Sequence, residues 1–221
     1  MALKKFFPDV RFNDNKVSPD EMNMRVNYVV ANPSISDTGF GTVSSATAAA
    51  VVFTNVVADY PRNVLFTILG VAGGMGGTLV VNGKDQFGIT QSETIAIGSA
   101  AGGGTAAGTK IFSSLSSGTV TPVGLGGTAV GTAKVGYALG TAAGIVALFG
   151  LPVRVAAVSD VKRLTWINNG TSTAINGGTL SSSYIGTANH TFQGSAIVAI
   201  TDQYHVTVKS TYNDEYLTNV A

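Results

Sequence analysis

Nowhere in these 221 residues do apolar positions keep helical spacing for three turns; where they are regular, they recur at every second residue. That pattern commits a chain to strands, because alternate side chains of a strand share one face, whereas a helix needs a repeat near 3.6 residues. The alternation is strongest over residues 60–97. After Tyr60-Pro61-Arg62, the residues Val64, Phe66 and Ile68 alternate with Leu65, Thr67 and Leu69. A glycine-laden break from Gly70 to Gly77 precedes a second β-rich run, Thr78 to Asn82. Asp85-Gln86-Phe87-Gly88 then has the chemistry of a reversing loop: the Asp can bond its own backbone and the Gly is free to take positive φ. Beyond it, Ile89, Gln91, Glu93 and Ile95 fall on one face and Thr90, Ser92 and Thr94 on the other. The spacing predicts a meander of antiparallel strands.

Further strands are expected at Met22–Val30, Val51–Val57, Lys110–Leu115, Ala133–Leu139, Val153–Val158, Arg163–Asn168, Ser195–Thr201 and Gln203–Ser210. Ala46–Ala50 scores as helical on composition, but the β-branched run after it argues for a strand. Asn168-Asn169-Gly170-Thr171 reads as a hairpin turn, since Asn-Gly accepts the positive φ such turns need. Gly98–Gly108, almost pure Gly, Ala, Ser and Thr, reads as a loop. The first 35 residues differ in kind. Eight charges lie between Lys4 and Glu21, Pro8, Pro19 and Pro33 interrupt regular structure, and Ser18-Pro19-Asp20-Glu21 suits one helical turn.

The expected fold is therefore mainly β: an antiparallel β-sandwich, with jelly-roll-like and barrel-like closures both open, carrying an extended N-terminal arm. The arm is placed at 1–35 and the sandwich, with its Gly/Ala/Ser/Thr-rich loops, at 36–221. The arm either adds a strand within its own chain or reaches a neighbouring subunit.

Composition decides what such a sandwich is for. Charged residues are 11% of the chain, under half the usual share of about 25%, while hydrophobic residues are 45% and glycine numbers 28. A surface so thin in charge lacks the usual protection against association, which implies one covered by neighbours. The net charge of +1 comes from scattered single residues, so no nucleic-acid partner is expected. Cysteine is absent. Met1 to Pro8 holds no apolar core of a secretory signal, and synthesis in a cytoplasm is the expectation. Val135–Leu151 is seventeen residues without a charge, but it is short for a membrane span and holds four glycines. A buried loop and strand, or a contact surface for another subunit, fits it better.

Parts for catalysis are scarce. There are three Glu (Glu21, Glu93, Glu215) and two His (His190, His205), with no His-x-His, His-Glu-x-x-His or Gly-x-Ser-x-Gly spacing. The glycine runs Gly73–Thr78 and Gly102–Lys110 contain no Gly-Lys-Ser/Thr and open no helix, so they form no phosphate loop. Asp85 and Glu93 read as a turn Asp and a solvent-facing Glu, the two histidines as surface or interface imidazoles, and Trp166 as a sheet-packing residue. No catalytic residue, cofactor or metal is expected, and the chain is not read as an enzyme.

The order of segments is nonetheless suggestive. Pro61-Arg62-Asn63-Val64, the strand at Thr78 to Val81, Gly83-x-Asp85-x-x-Gly88 and Glu93-Thr94-Ile95 are followed by Lys110-Ile111-Phe112-Ser113-Ser114-Leu115, Lys134-Val135-Gly136-Tyr137 and Gly150-Leu151-Pro152. Over about residues 60 to 160 this series resembles the β-sandwich virion proteins of tailed bacteriophages, classed as head decoration or cement proteins. The resemblance implies a subunit assembled in the host cytoplasm onto the capsid surface of the virion. Its partners would be the major capsid protein and copies of itself, as a homo-oligomer such as a trimer, with no membrane involved. The residues expected to make those contacts are Phe6, Phe7, Arg11 and Phe12 in the arm and Tyr137, Leu148 and Phe149 in the apolar window. The alternative is a tail or fibre component that binds the host surface.

Overall fold

The computed structural model describes residues 23–44, 49–54, 56–69, 75–100, 103–124, 132–138, 145–168, 171–174, 185–194 and 201–211. Among them are fifteen strands. In chain order these begin β1 (Asn23–Ala31), β2 (Gly41–Ser44), β3 (Ala49–Ala50), β4 (Val52–Phe53), β5 (Val57–Leu69) and β6 (Met75–Lys84). Next come β7 (Thr90–Ala100), β8 (Gly103–Gly124), β9 (Thr132–Tyr137) and β10 (Leu148–Gly150). A 3-10 turn at Val158–Asp160 leads to β11 (Val161–Asn168), β12 (Thr171–Ala174), β13 (Ile185–Gly186), β14 (Thr191–Gln193) and β15 (Gln203–Thr211).

Described strand pairs are all antiparallel, and they build two sheets. The smaller runs β1-β15-β11-β12. The larger has eleven strands, seven of them along the path β13-β14-β10-β5-β8-β6-β7, with β9 branching from β5, β2 from β9, β4 from β2, and β3 from β8. That path has two ends, so the barrel-like closure falls and an antiparallel, sandwich-like packing stands.

Where the larger sheet folds back on itself it encloses the first core. Val64, Phe66 and Ile68 of β5 meet Leu79 and Val81 of β6, Ile95 and Ile97 of β7, and Val135 of β9, all buried. This is the alternation of the sequence made three-dimensional, each such side chain contributing about 1.5–3 kcal/mol by leaving water. A second core lies against the smaller sheet, where Val161, Leu164, Tyr204, Val206 and Val208 pack on Phe149, Leu151, Ile185 and Phe192. Tyr60 of β5 ties the two regions: its hydroxyl donates to the Ala31 carbonyl at 2.8 Å and accepts from the Ala31 N–H at 3.1 Å.

Several sequence expectations change here. Gly98–Gly108 is not a loop: β7 runs through Ala100, and β8 starts at Gly103 and continues for 22 residues. The small residues serve packing, since a Cβ at Gly104 would stand 2.7 Å from Ile97 of the opposing layer. Val153–Val158 forms bends rather than a strand. Asn168 and Thr171 pair as the hairpin ends expected for the Asn-Gly turn. Within the expected arm, 1–22 lie outside the described residues, as does the helical turn at Ser18–Glu21. Residues 23–31 pair along their whole length with β15 of the same chain. Residues 195–200 of the strand expected at Ser195–Thr201 also lie outside.

Candidate functional site

The register of β5 against β8 breaks between Asn63↔Ile111 and Leu65↔Ala107, so β8 carries two more residues than its partner across Gly108–Lys110. Such a bulge leaves backbone groups without ladder partners, and buried ones must find others. Side chains from three distant segments supply them. Glu93 Oε1 accepts from the Thr109 N–H at 2.6 Å and the Lys110 N–H at 3.2 Å. Asn63 Nδ2 donates to the Gly108 carbonyl at 2.8 Å, and Asn189 Nδ2 donates to that of Thr109 at 3.3 Å. Glu93 is therefore not the solvent-facing charge expected of it. It is half-buried and anchors the bulge, and a Cβ at Gly108 would collide with its carboxylate.

Below the bulge lies the junction of the two cores. Arg62 is fully buried, its guanidinium 4.8 Å from the ring centre of Tyr137 and 4.9 Å from that of Phe149. Nη1 donates to the Ser34 carbonyl at 2.9 Å and reaches Asp59 Oδ1 at 3.3 Å, while Nη2 donates to the Ala138 carbonyl at 3.0 Å. Burial pulls its pKa below the ordinary value, and Asp59 opposes that shift. An arginine so held stays charged at neutral pH. Asn63 beside it is equally committed: Nδ2 also donates to the Val146 carbonyl, and Oδ1 accepts from the Leu148 N–H.

Two of the expected assembly contacts belong to this junction and are corrected by it. Tyr137 and Phe149 are 4% and 0% exposed, their surfaces spent on Arg62, on Phe40 and on the Phe149–Phe192–Tyr204 cluster. Hydrophobicity looks the same whether the partner is another subunit or the chain's own core, and of the two fates open to the apolar window these two residues take burial within the chain. Leu148 differs, being half-buried beside a groove of about 480 Å³ lined by Thr105–Thr109, Ile145, Val146 and Gln193. No lining residue of that groove is ionisable. Phe6, Phe7, Arg11 and Phe12 lie outside the described residues.

On the other side of the bulge is a smaller, polar cleft of about 140 Å³. Its floor is the Asp85–Gly88 turn, folded as the sequence predicts. Asp85 Oδ1 accepts from the N–H groups of Phe87 and Ile89, both at 2.8 Å, and Gly88 sits at φ 81°. Gln86 Nε2 donates to the carbonyls of Asn189 at 3.0 Å and His190 at 3.2 Å, and Gln91 Nε2 donates to that of Ile111. Arg154 lies over the Phe87 ring at 5.0 Å, and His190 meets the same ring edge-to-face at 5.5 Å. His190 takes φ 51° and lines the cleft, and its Nδ1 lies 3.1 Å from the Val155 backbone nitrogen and 3.2 Å from the Val155 carbonyl oxygen. Burial lowers the His190 pKa, and the charge of Arg154 lowers it further, against the Val155 backbone contact and Asp85.

Sequence reasoning found the floor of this cleft and missed its walls. Asp85, Arg154 and His190 are far apart along the chain, and nothing local to Arg154 or Asn189 sets them apart from surface residues. Among the described residues no group of three His, Cys, Asp or Glu side chains is placed to hold a metal. No described helix is long and apolar enough to cross a membrane. Comparison with known proteins finds no matching family model, no matching curated protein and no matching solved structure.

Proposed function

We propose that this chain is a structural subunit of a tailed-phage particle, a decoration or cement protein that binds the assembled head and stabilises it. The observation that carries the reading is an apolar strap on the rim of the larger sheet. Val52, Val56 and Val57 are 75%, 47% and 57% exposed within six residues. Isolated exposed valines need no explanation, but three on one short segment of a charge-poor chain favour a protein partner. Two further features support it. The uncharged groove beside Leu148 suits a segment of a neighbouring chain. In addition, among the described residues β7 pairs only with β6, and the free edge of this eleven-residue strand, along which Thr90, Ser92, Thr94 and Ala96 are exposed, has backbone groups for strand addition.

A ligand that binds only the assembled shell stabilises that shell by mass action. The partners are the major capsid protein and further copies of this chain, in a homo-oligomer such as a trimer. Gold-labelled antibody on intact particles tests the location: label over the head is expected, and label confined to the tail would turn the assignment to a tail or fibre component. Val52→Asp and Val57→Asp together, being on the surface, should leave the fold intact and weaken particle binding about tenfold or more. Unchanged binding of that double variant would remove the strap from the interface.

A further inference from the structure

The polar cleft has no part in the assembly reading, yet its atoms are arranged for a ligand. Each framework side chain spends one polar atom on the wall and keeps another. The Nε2 atoms of Gln86 and Gln91 bond backbone carbonyls, so their Oε1 atoms have no partner among the described residues. Asp85 likewise holds its turn through Oδ1 and keeps Oδ2. The donors come from the opposite wall. His190 Nδ1 is taken up by the Val155 backbone, whose N–H lies at 3.1 Å and carbonyl oxygen at 3.2 Å, and the ring keeps Nε2, which donates in one neutral tautomer and accepts in the other. Arg154 is positioned by the Phe87 ring alone and makes no hydrogen bond or ion pair among the described residues.

Charge and size narrow what fits. Arg154 and Asp85 cancel, and a neutral His190 leaves the cleft without net charge. A carboxylate or phosphate would face Asp85 and two amide oxygens, and an ammonium group would face Arg154. A hydroxyl both donates and accepts, so a ring bearing several of them matches a wall of mixed donors and acceptors. Its C–H surface would meet Phe87 and the half-exposed Ile89. A volume of about 140 Å³ is well below that of sites for drug-sized ligands, which run to about 300–1,000 Å³, and suits one ring.

We propose that the cleft formed by the Asp85–Gln91 hairpin, Arg154 and His190 binds a single neutral saccharide residue, as the terminal or branching unit of a glycan. Backbone contacts hold Asp85, Gln86, Gln91 and His190 in place, so most of the site is preorganised and Arg154 is the side chain left to adjust. The inference does not depend on whether the chain sits on a head or a tail.

The test titrates the full chain with methyl glycosides of glucose, mannose, galactose and N-acetylglucosamine, with acetate, phosphate and methylammonium as charged controls, read by amide-resolved NMR. At least one glycoside should saturate, moving the amides of Asp85–Gln91, Arg154 and His190. Arg154→Ala should weaken that glycoside about tenfold, as expected for the loss of one charged hydrogen bond, with the rest of the spectrum unchanged. The proposal is overturned if no glycoside saturates, if a charged control perturbs the same amides more strongly, or if Arg154→Ala binds as the parent does.

Discussion

Arg62 and Arg154 each lie against aromatic rings, and the resemblance ends there. Arg62 is enclosed between Tyr137 and Phe149, bonded to two carbonyls and paired with Asp59, and joins both cores. Arg154 covers one face of Phe87 at the exposed rim of a cleft, with its donors unengaged among the described residues. A guanidinium on a ring contributes about 0.5–1 kcal/mol in the open and about 2 or more when desolvated. The difference between the two sites is therefore not in the pair but in what surrounds it. Burial turns a cation–aromatic contact into architecture, and exposure leaves it available to something else.

The widest gap between the two should appear on truncation. Arg62→Ala should cost about 3–5 kcal/mol in urea unfolding, because it empties the space between Tyr137 and Phe149 and takes the donor from the buried Ala138 carbonyl. Arg62→Met should recover part of that loss by filling the space without a charge. Asn63→Ala is the next largest, about 2–3 kcal/mol, since it strands the Gly108 and Val146 carbonyls and the Leu148 N–H. On the cleft side Asp85→Ala should cost about 1 kcal/mol, the loss of two turn bonds in a half-exposed site.

A smaller effect separates the regions by pH. The His190 pKa is lowered in the folded chain, so the unfolded chain takes up its proton first as pH falls. Stability from this group is complete above the unfolded value near 6.5 and is lost progressively as pH drops below it. His190→Asn, which tolerates the left-handed backbone at that position, should flatten the fall in melting temperature between neutral pH and pH about 5. The drop itself is small because the ring is half-exposed. Smallest of all, Arg154→Ala should change stability by no more than about 0.5 kcal/mol. A cost approaching that of Arg62→Ala would collapse the distinction between an architectural and an available arginine.

The chain's own pattern determined a good deal. Alternation at Val64, Phe66 and Ile68 assigned a strand correctly, because a two-residue repeat has only one regular solution, but it did not say which face is inward, and β5 buries Leu65 and Thr67 of its other face as well. Asp85–Gly88 folded as read and Asn168 pairs with Thr171 as the ends of a hairpin, since turn chemistry acts within four residues. What tertiary structure alone decided is whatever depends on a distant neighbour. Gly103–Gly108 is strand because β5 and an opposing layer hold it there. Glu93 is a backbone anchor because β8 bulges beside it. Tyr137 and Phe149 are core because Arg62 lies between them, and the cleft exists only where residues 85, 154 and 190 converge. Local preference is encoded in adjacent residues, whereas burial and charge compensation are properties of a place that many segments make together.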